Sequence, residues 1–228
     1  MSSAESDVTW LYLVRHGATA ANERVPYTLQ GNAVDLPLSP AGEIQAREVA
    51  VFLAQFPISR VYGSHLLRSR QTAEAIALLQ NASPHLVEDL HECDVGLWEG
   101  LDWQTIRERY PQEHRRFVED TAETPYLGGE SYGGVLRRTM PVIERLCDSH
   151  TGESIAIVAH NVVNRALLAH LLGLGLQRAP KIAQANGCVN PQLWVRQRAN
   201  ECRHRRSIDR ERNASNWRIA DRFRSRAS

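Results

Sequence analysis

The sequence predicts an α/β fold: three layers, α/β/α, with a mostly parallel central sheet and a small helical cover over one sheet edge. Three observations carry this. Short apolar runs, Trp10–Val14, Val61–Tyr62 and Ser154–Ala159, read as buried strands. Helical patterns separate them, which favours parallel pairing through crossover helices. Each run then stops at residues with chemistry: Arg15-His16, Ser64 with nearby Arg68, and His160. In a parallel sheet those carboxyl ends share the edge where open α/β sheets bind ligands.

The elements follow in order. Residues 1–8 read as a flexible lead and 9–14 as the first strand. Gly17 lets the chain turn sharply beside a ligand. Residues 18–39 are polar, with Pro26, Gly31 and Pro37, and read as a long loop; a loop of that length in a compact domain is usually functional. Ser39-Pro40 starts a helix with Ser39 as N-cap and Pro40 at its first position. Ile44, Val49, Val51, Phe52 and Phe56 supply much of its apolar content, and Pro57 closes it. Residues 60–63 form a second strand. A helix spans 67–79 with Ala73, Ile76, Ala77 and Leu79 inward, and residues 86–87 form a very short third strand. An acidic, aromatic stretch covers 88–103, with short helices near 103–110 and 112–121. Ser131 caps a helix carrying Val135, Leu136, Ile143 and Leu146 on one side. Pro141 lies inside it, where an interior proline costs about 3 kcal/mol and usually kinks the helix. After the strand at 154–159 a helix runs over 163–172 and stops at Gly173. Residues 192–195 begin a last strand.

Composition bounds the function. The chain has 228 residues, 43% hydrophobic, with 27 basic and 26 acidic side chains. That balance hides an asymmetry: residues 196–228 hold 11 Arg against 4 acidic residues, leaving 1–195 mildly acidic. The expected organisation is therefore a domain over 1–195 and an Arg-rich extension over 196–228. Cys93, Cys147, Cys188 and Cys202 lack metal or redox spacing. No apolar run is long enough to span a bilayer. Met1 to Asp7 lacks the basic and apolar regions of a signal peptide. The expectation is a cytoplasmic enzyme with reduced thiols and no membrane contact.

Two imidazoles and two guanidiniums at one edge suit phosphoryl chemistry. Arginine offers bidentate donors to phosphate. One imidazole can attack phosphorus while the other donates to its oxygens. These cations offset the charge that a metal would otherwise handle, so no metal and no cofactor is expected.

The chain resembles the histidine phosphatase superfamily, also called phosphoglycerate mutase-like. The matching motifs are Arg15-His16-Gly17-Ala18-Thr19 with Asn22, Gln30-Gly31, Asp35 to Ser39, Gly42 with Gln45-Ala46, Ser64 to Arg68, and Gln71-Thr72-Ala73. Glu92, Gly96 to Gly100, Gly129-Glu130-Ser131 and Ala159-His160 follow in the same order. They cover about residues 8–190. The resemblance implies that His16 is the nucleophile and that Arg15, Arg68 and His160 form the phosphate pocket. Glu92 is implied as proton donor, with Glu88, Asp89, Asp94 and Glu99 as rivals. It places Asn22, Gln30 and Gly31 where substrate binds, and residues 102–130 where a small helical cover lies over the site. Asn161, next to His160 at the strand end, is expected to bind substrate as well. Trp98 and Trp103 read as packing, and His65, His85, His91 and His114 as solvated or structural. Residues 128–132 and 141–144 resemble the fructose-2,6-bisphosphatase domain.

Together these features point to a phosphatase acting on small phosphomonoesters through a phosphohistidine. Its rivals are a 2,3-bisphosphoglycerate-dependent mutase and a catalytically idle phospho-ligand-binding module. The phosphatase reading rests partly on the charged segment 102–130, read as a wet lid rather than a dry seal. Binding of nucleic acid by the basic tail is the weakest reading, since the tail holds acidic residues and no motif. Monomer and homodimer both stay open.

Overall fold

The computed structural model describes residues 8–195. Expectations for the N-terminal lead, the basic extension and Cys202 lie outside the described residues.

Five strands form one sheet, in the order β3-β2-β4-β1-β5. They are β1 (Val8–Arg15), β2 (Ile58–Ser64), β3 (His85–Val87), β4 (Ser154–Ala159) and β5 (Val189–Val195). The first four are mutually parallel, and β5 pairs antiparallel to β1. Alternation along β1 and β4 separates two cores. Leu11, Leu13, Ile155 and Ile157 face one side; Tyr12, Val14, Ala156 and Val158 face the other. Helices α2 (Pro40–Leu53) and α3 (Leu67–Leu79) pack on the second face, and α6 (Tyr132–Ser149) and α7 (Asn161–Leu171) on the first. This is the three-layer arrangement that the strand and helix patterns predict.

The local chemistry follows the sequence closely. Ser39 caps α2 by accepting from the Gly42 N–H at 3.1 Å, with Pro40 at the first helical position. Ser131 caps α6 through the Gly134 N–H. Four expectations need correction. The loop 18–39 contains a short helix, α1 (Ala20–Glu23). Leu79 is 47% exposed, because the buried stripe of α3 is Ala73, Ile76 and Ala77 and Leu79 falls off it at the helix end. On α2, Ile44 and Val51 point outward, and the packed face is built from Ala46, Val49, Ala50 and Leu53. The last helix starts two residues early, because His160 serves as its N-cap. Pro141 sits within α6, which is assigned as one helix across it.

The cover is α4 (Trp103–Arg109), α5 (Pro111–Glu119) and the loop to Ser131. Its charged residues Arg107, Glu108, Arg109, Arg115, Arg116 and Glu119 are exposed, while Ile106 and Phe117 are buried. Phe117 and Tyr126 surround the fully buried Trp98 edge-on. Most of that charge thus lies on the outer face of the cover; the inner face is largely aromatic, with Arg107 reaching the cavity. A wet lid does not follow from it.

Candidate active site

Sheet register assembles the site. Arg15 pairs with Ala159, so His16 and His160, each one residue further on, emerge side by side between β1 and β4. Their ring centroids are 5.1 Å apart. Gly63 pairs with Val158 on the other flank of β4, which brings Ser64 and the start of α3, with Arg68, to the same edge. All four charged or titratable groups are nearly enclosed: Arg15 is 7% exposed, His16 3%, Arg68 1% and His160 0%.

The motifs around them are the fastenings of this edge. Gly17 crosses α2 so closely that a Cβ would lie 2.3 Å from the Gly42 oxygen, and a Cβ on Gly42 would lie 1.9 Å from that of Ala18. The Gly17 N–H donates to Thr72 Oγ1 and the Ala18 N–H to Gln45 Oε1. Ser69 Oγ donates to the Val158 carbonyl and accepts from the Ser64 N–H.

His16 Nδ1 lies 2.7 Å from the Gly17 carbonyl oxygen. A carbonyl only accepts, so Nδ1 carries the proton and Nε2 presents a lone pair. Burial first, then the Arg68 and Arg15 charges, hold His16 well below the ordinary histidine value; the Gly17 bond opposes them. His160 is lowered too, by burial and then by Arg68 and His16. The arginine charges and burial thus both favour the neutral imidazole of His16, with burial as the larger cause. Neither nitrogen of His160 has a partner within the protein, and neither does Nε of Arg15 or Arg68. Buried donors without partners are costly, and they suit an anionic ligand.

Glu92 is buried on the segment between β3 and the cover. Its Oε1 accepts from the Cys93 N–H at 2.8 Å, and both oxygens lie 3.3 Å from the Val162 N–H in the first turn of α7. Among its sequence rivals, Glu99 is engaged elsewhere: its Oε1 accepts from the Ala33 and Val34 N–H groups. Asp94 accepts from the Gly96 N–H.

A cavity of about 560 Å³ reaches Glu92, Gln30, Gly31 and Asn161. The two histidines and two arginines lie behind this wall rather than in it. Arg165, Lys181 and Arg107 are the cations of the wall, and Tyr27, Trp103, Phe117 and Tyr132 are among its aromatics. Trp103 therefore faces the cavity, whereas Trp98 packs in the core. His114 also lines it. Gln30 spends both ends of its amide inside the protein, accepting from Thr19 Oγ1 and donating to the Val34 carbonyl. Asn22 Oδ1 accepts from the Thr19 and Asn186 N–H groups. Asn161 Oδ1 is buried without a partner. Gln184 was not singled out by the sequence; its carbonyl accepts from Arg15 Nη1. Among the described residues, no group of three His, Cys, Asp or Glu side chains is placed to hold a metal ion, and no helix is long and apolar enough to cross a membrane.

The model of histidine phosphatase superfamily branch 1 matches residues 11–206. The chain belongs to that superfamily. It is 32% identical over 168 residues to phosphoserine phosphatase 1 of Hydrogenobacter thermophilus, covering 74% of this chain and 78% of that protein. It is also 32% identical over 173 residues to 6-phosphofructo-2-kinase/fructose-2,6-bisphosphatase of Gallus gallus, a match that covers 75% of this chain and 34% of that longer protein. Among solved structures, a mycobacterial glucosyl-3-phosphoglycerate phosphatase complexed with VO3 superposes with a TM-score of 0.70 at 27% identity, over 80% of this chain and 90% of that one. As a histidine phosphatase, the chain matches phosphatases in both sequence and structure.

Proposed function

We propose that the protein hydrolyses small phosphomonoesters through a phosphohistidine at His16. One observation carries this: Nδ1 of a buried, neutral His16 is committed to the Gly17 carbonyl, so its lone pair is on Nε2, beside buried donors that lack partners. Membership of the superfamily and the phosphatase names of its relatives support the same reading.

In the first step His16 Nε2 attacks phosphorus in line. Arg15, Arg68 and His160 donate to the equatorial oxygens as their charge grows. The bond to the ester oxygen breaks, and that oxygen takes the Glu92 proton. In the second step water attacks the phosphohistidine, Glu92 accepts a proton from it, and phosphate leaves. Asn22, Gln30, Gly31 and Asn161 are proposed to border the substrate. The internal bonds of Gln30 fit a role through the loop it holds. The wall cations Arg165, Lys181 and Arg107 suit substrates with a second negative group, such as phosphoserine or a phosphoglycerate derivative.

Rapid quench after mixing with labelled phosphomonoester tests the reading. Label that is acid-labile and base-stable, present in the parent chain and lost in His16→Ala, is expected. Normal labelling of His16→Ala would refute the assignment. Run beside a phosphate-release panel, 3- to 2-phosphoglycerate interconversion with added 2,3-bisphosphoglycerate should stay far below hydrolysis.

A further inference from the structure

Glu92 sits on a segment with almost no regular structure. A single turn, Glu88–Leu90, precedes it, and residues 91–95 belong to no helix or strand. A carboxyl group that transfers a proton must be held within a fraction of an ångström, and neither strand nor helix does that here. The holding comes from Arg138 on α6 and Glu130 just before it. Arg138 Nε and Nη2 donate to the two oxygens of Glu130 at 2.9 and 3.0 Å, a bidentate pair. The same guanidinium donates from Nη1 to the Asp89 carbonyl at 2.6 Å and from Nη2 to the Glu92 carbonyl at 3.1 Å. Glu130 in turn accepts from the Asp94 N–H at 3.0 Å, and its own N–H donates to the Asp94 carbonyl at 2.8 Å.

The segment is therefore fastened upstream of Glu92, at Glu92 itself and downstream of it, by one ion pair. The pair is largely enclosed, with side chains 16% and 25% exposed. Burial acts to raise the Glu130 carboxyl, yet the Arg138 and Asp94 bonds outweigh it and hold Glu130 below its ordinary value. Neither residue lines the cavity. Glu92 is held further by His91 Nδ1, 2.8 Å from the same backbone carbonyl, and by its own carboxylate on the Cys93 and Val162 N–H groups, which fixes the side chain once the backbone is in place.

We infer that Arg138 and Glu130 form a positioning pair for proton transfer, setting the backbone from which Glu92 reaches the leaving group. The inference rests on the reading of Glu92 as the proton donor. A purely structural pair, when broken, lowers turnover of every substrate alike. A pair that positions the acid spares substrates whose leaving group needs no proton.

The test compares kcat/KM for phosphoserine, an alkyl ester, with that for p-nitrophenyl phosphate, whose leaving group departs unprotonated. The variants are Glu92→Gln, Arg138→Met, Arg138→Lys, the near-isosteric Glu130→Gln, and the double variant Arg138→Met/Glu92→Gln. Circular dichroism checks folding, and Glu130→Gln carries the comparison should Arg138→Met not fold. General acid catalysis is worth about 10²–10⁴-fold. Arg138→Met and Glu130→Gln are each expected to lose at least tenfold more on phosphoserine than on the aryl ester. Arg138→Lys, which keeps the charge but not the fork, should recover part of that difference. In the double variant, little should be lost on phosphoserine beyond the Glu92→Gln loss. Equal losses on both substrates, or fully multiplicative effects in the double variant, overturn the positioning role while leaving Glu92 as donor. Glu92→Gln that fails to distinguish the two esters removes the donor itself, and the inference with it.

Discussion

Arg68 donates from Nη2 to the Gly31 carbonyl oxygen at 2.8 Å. Its Nη1 donates to the Val34 carbonyl at 3.0 Å, so the guanidinium grips the loop that borders the cavity. Glu99 holds the same loop from the other side through the Ala33 and Val34 N–H groups. Asp35, at the end of this loop, accepts from the Leu67 N–H at the start of α3. The loop and Arg68 therefore define each other's position, and only Nε of Arg68 is left without a protein partner.

Arg68→Lys keeps the charge but cannot make both carbonyl bonds while offering a further donor at Nε. Loss of one transition-state donor typically costs about 10²–10³-fold in kcat. A loss of that order is expected, with the loop loosened as well. Steady-state kinetics, together with amide exchange at Ala33 and Val34, checks it. A lysine variant with parent activity would show that Arg68 serves only the loop.

The histidines give stability a pH dependence of known sign. His16 and His160 are both lowered in the folded chain, by burial and then by Arg68, whereas in the unfolded chain they titrate near ~6.5. Below that value the unfolded chain binds more protons, so stability falls as pH falls. Each histidine removes at most about 1.4 kcal/mol of stability per pH unit below pH ~6.5, and none above it. Urea unfolding at steps between pH 7.5 and 5 should show the decline, and neutral His16 should keep the nucleophile available at mildly acid pH. Imidazole NMR titration should place both rings below the unfolded-chain value of ~6.5. A His16 ring that titrates at or above that value removes the basis for the prediction.

Residues 196–228 are proposed to be dispensable for chemistry. Every proposed catalytic residue, and β5 with its ladder to β1, lies before residue 196. A chain cut before Arg198 should turn over p-nitrophenyl phosphate within about twofold of the full chain, an effect of less than ~0.5 kcal/mol on the barrier. A folded truncation that had lost turnover would place part of the active machinery in the extension.

How much of this could be read from sequence depends on what each residue does. Arg15, His16 and His160 were legible because strands advertise themselves by apolar runs, and parallel pairing then decides where their ends meet. Arg68 was legible through its motif, since a cation opening a helix is otherwise an ordinary surface residue. Arg138 and Gln184 were invisible as functional groups, while Glu130 entered only as a motif member and Glu99 only as a rival acid. Their bonds join groups distant in sequence, such as Arg138 to Asp89, and no local pattern encodes such a partner. The cover shows a related limit: charge count along 102–130 carries no information about which face each charge occupies, and the cavity takes Arg107 together with Trp103 and Phe117. Leu79 shows the same limit at a helix end, where one residue decides between core and solvent.

The segment 184–190 closes over the first strand's end. The Gln184 carbonyl accepts from Arg15, Asn186 Nδ2 donates to the His16 carbonyl at 3.2 Å, and the Cys188 carbonyl accepts from the Arg15 N–H at 3.0 Å. Arg15 and His16 are thus held partly by residues synthesised some 170 positions later. A growing polypeptide carries them from early in translation, gains the partner strand that sets their register with Ala159, and acquires the bonds from 184–190 last. A chain ending before residue 184 is therefore expected to hold this edge incompletely and to turn over less substrate than the finished domain.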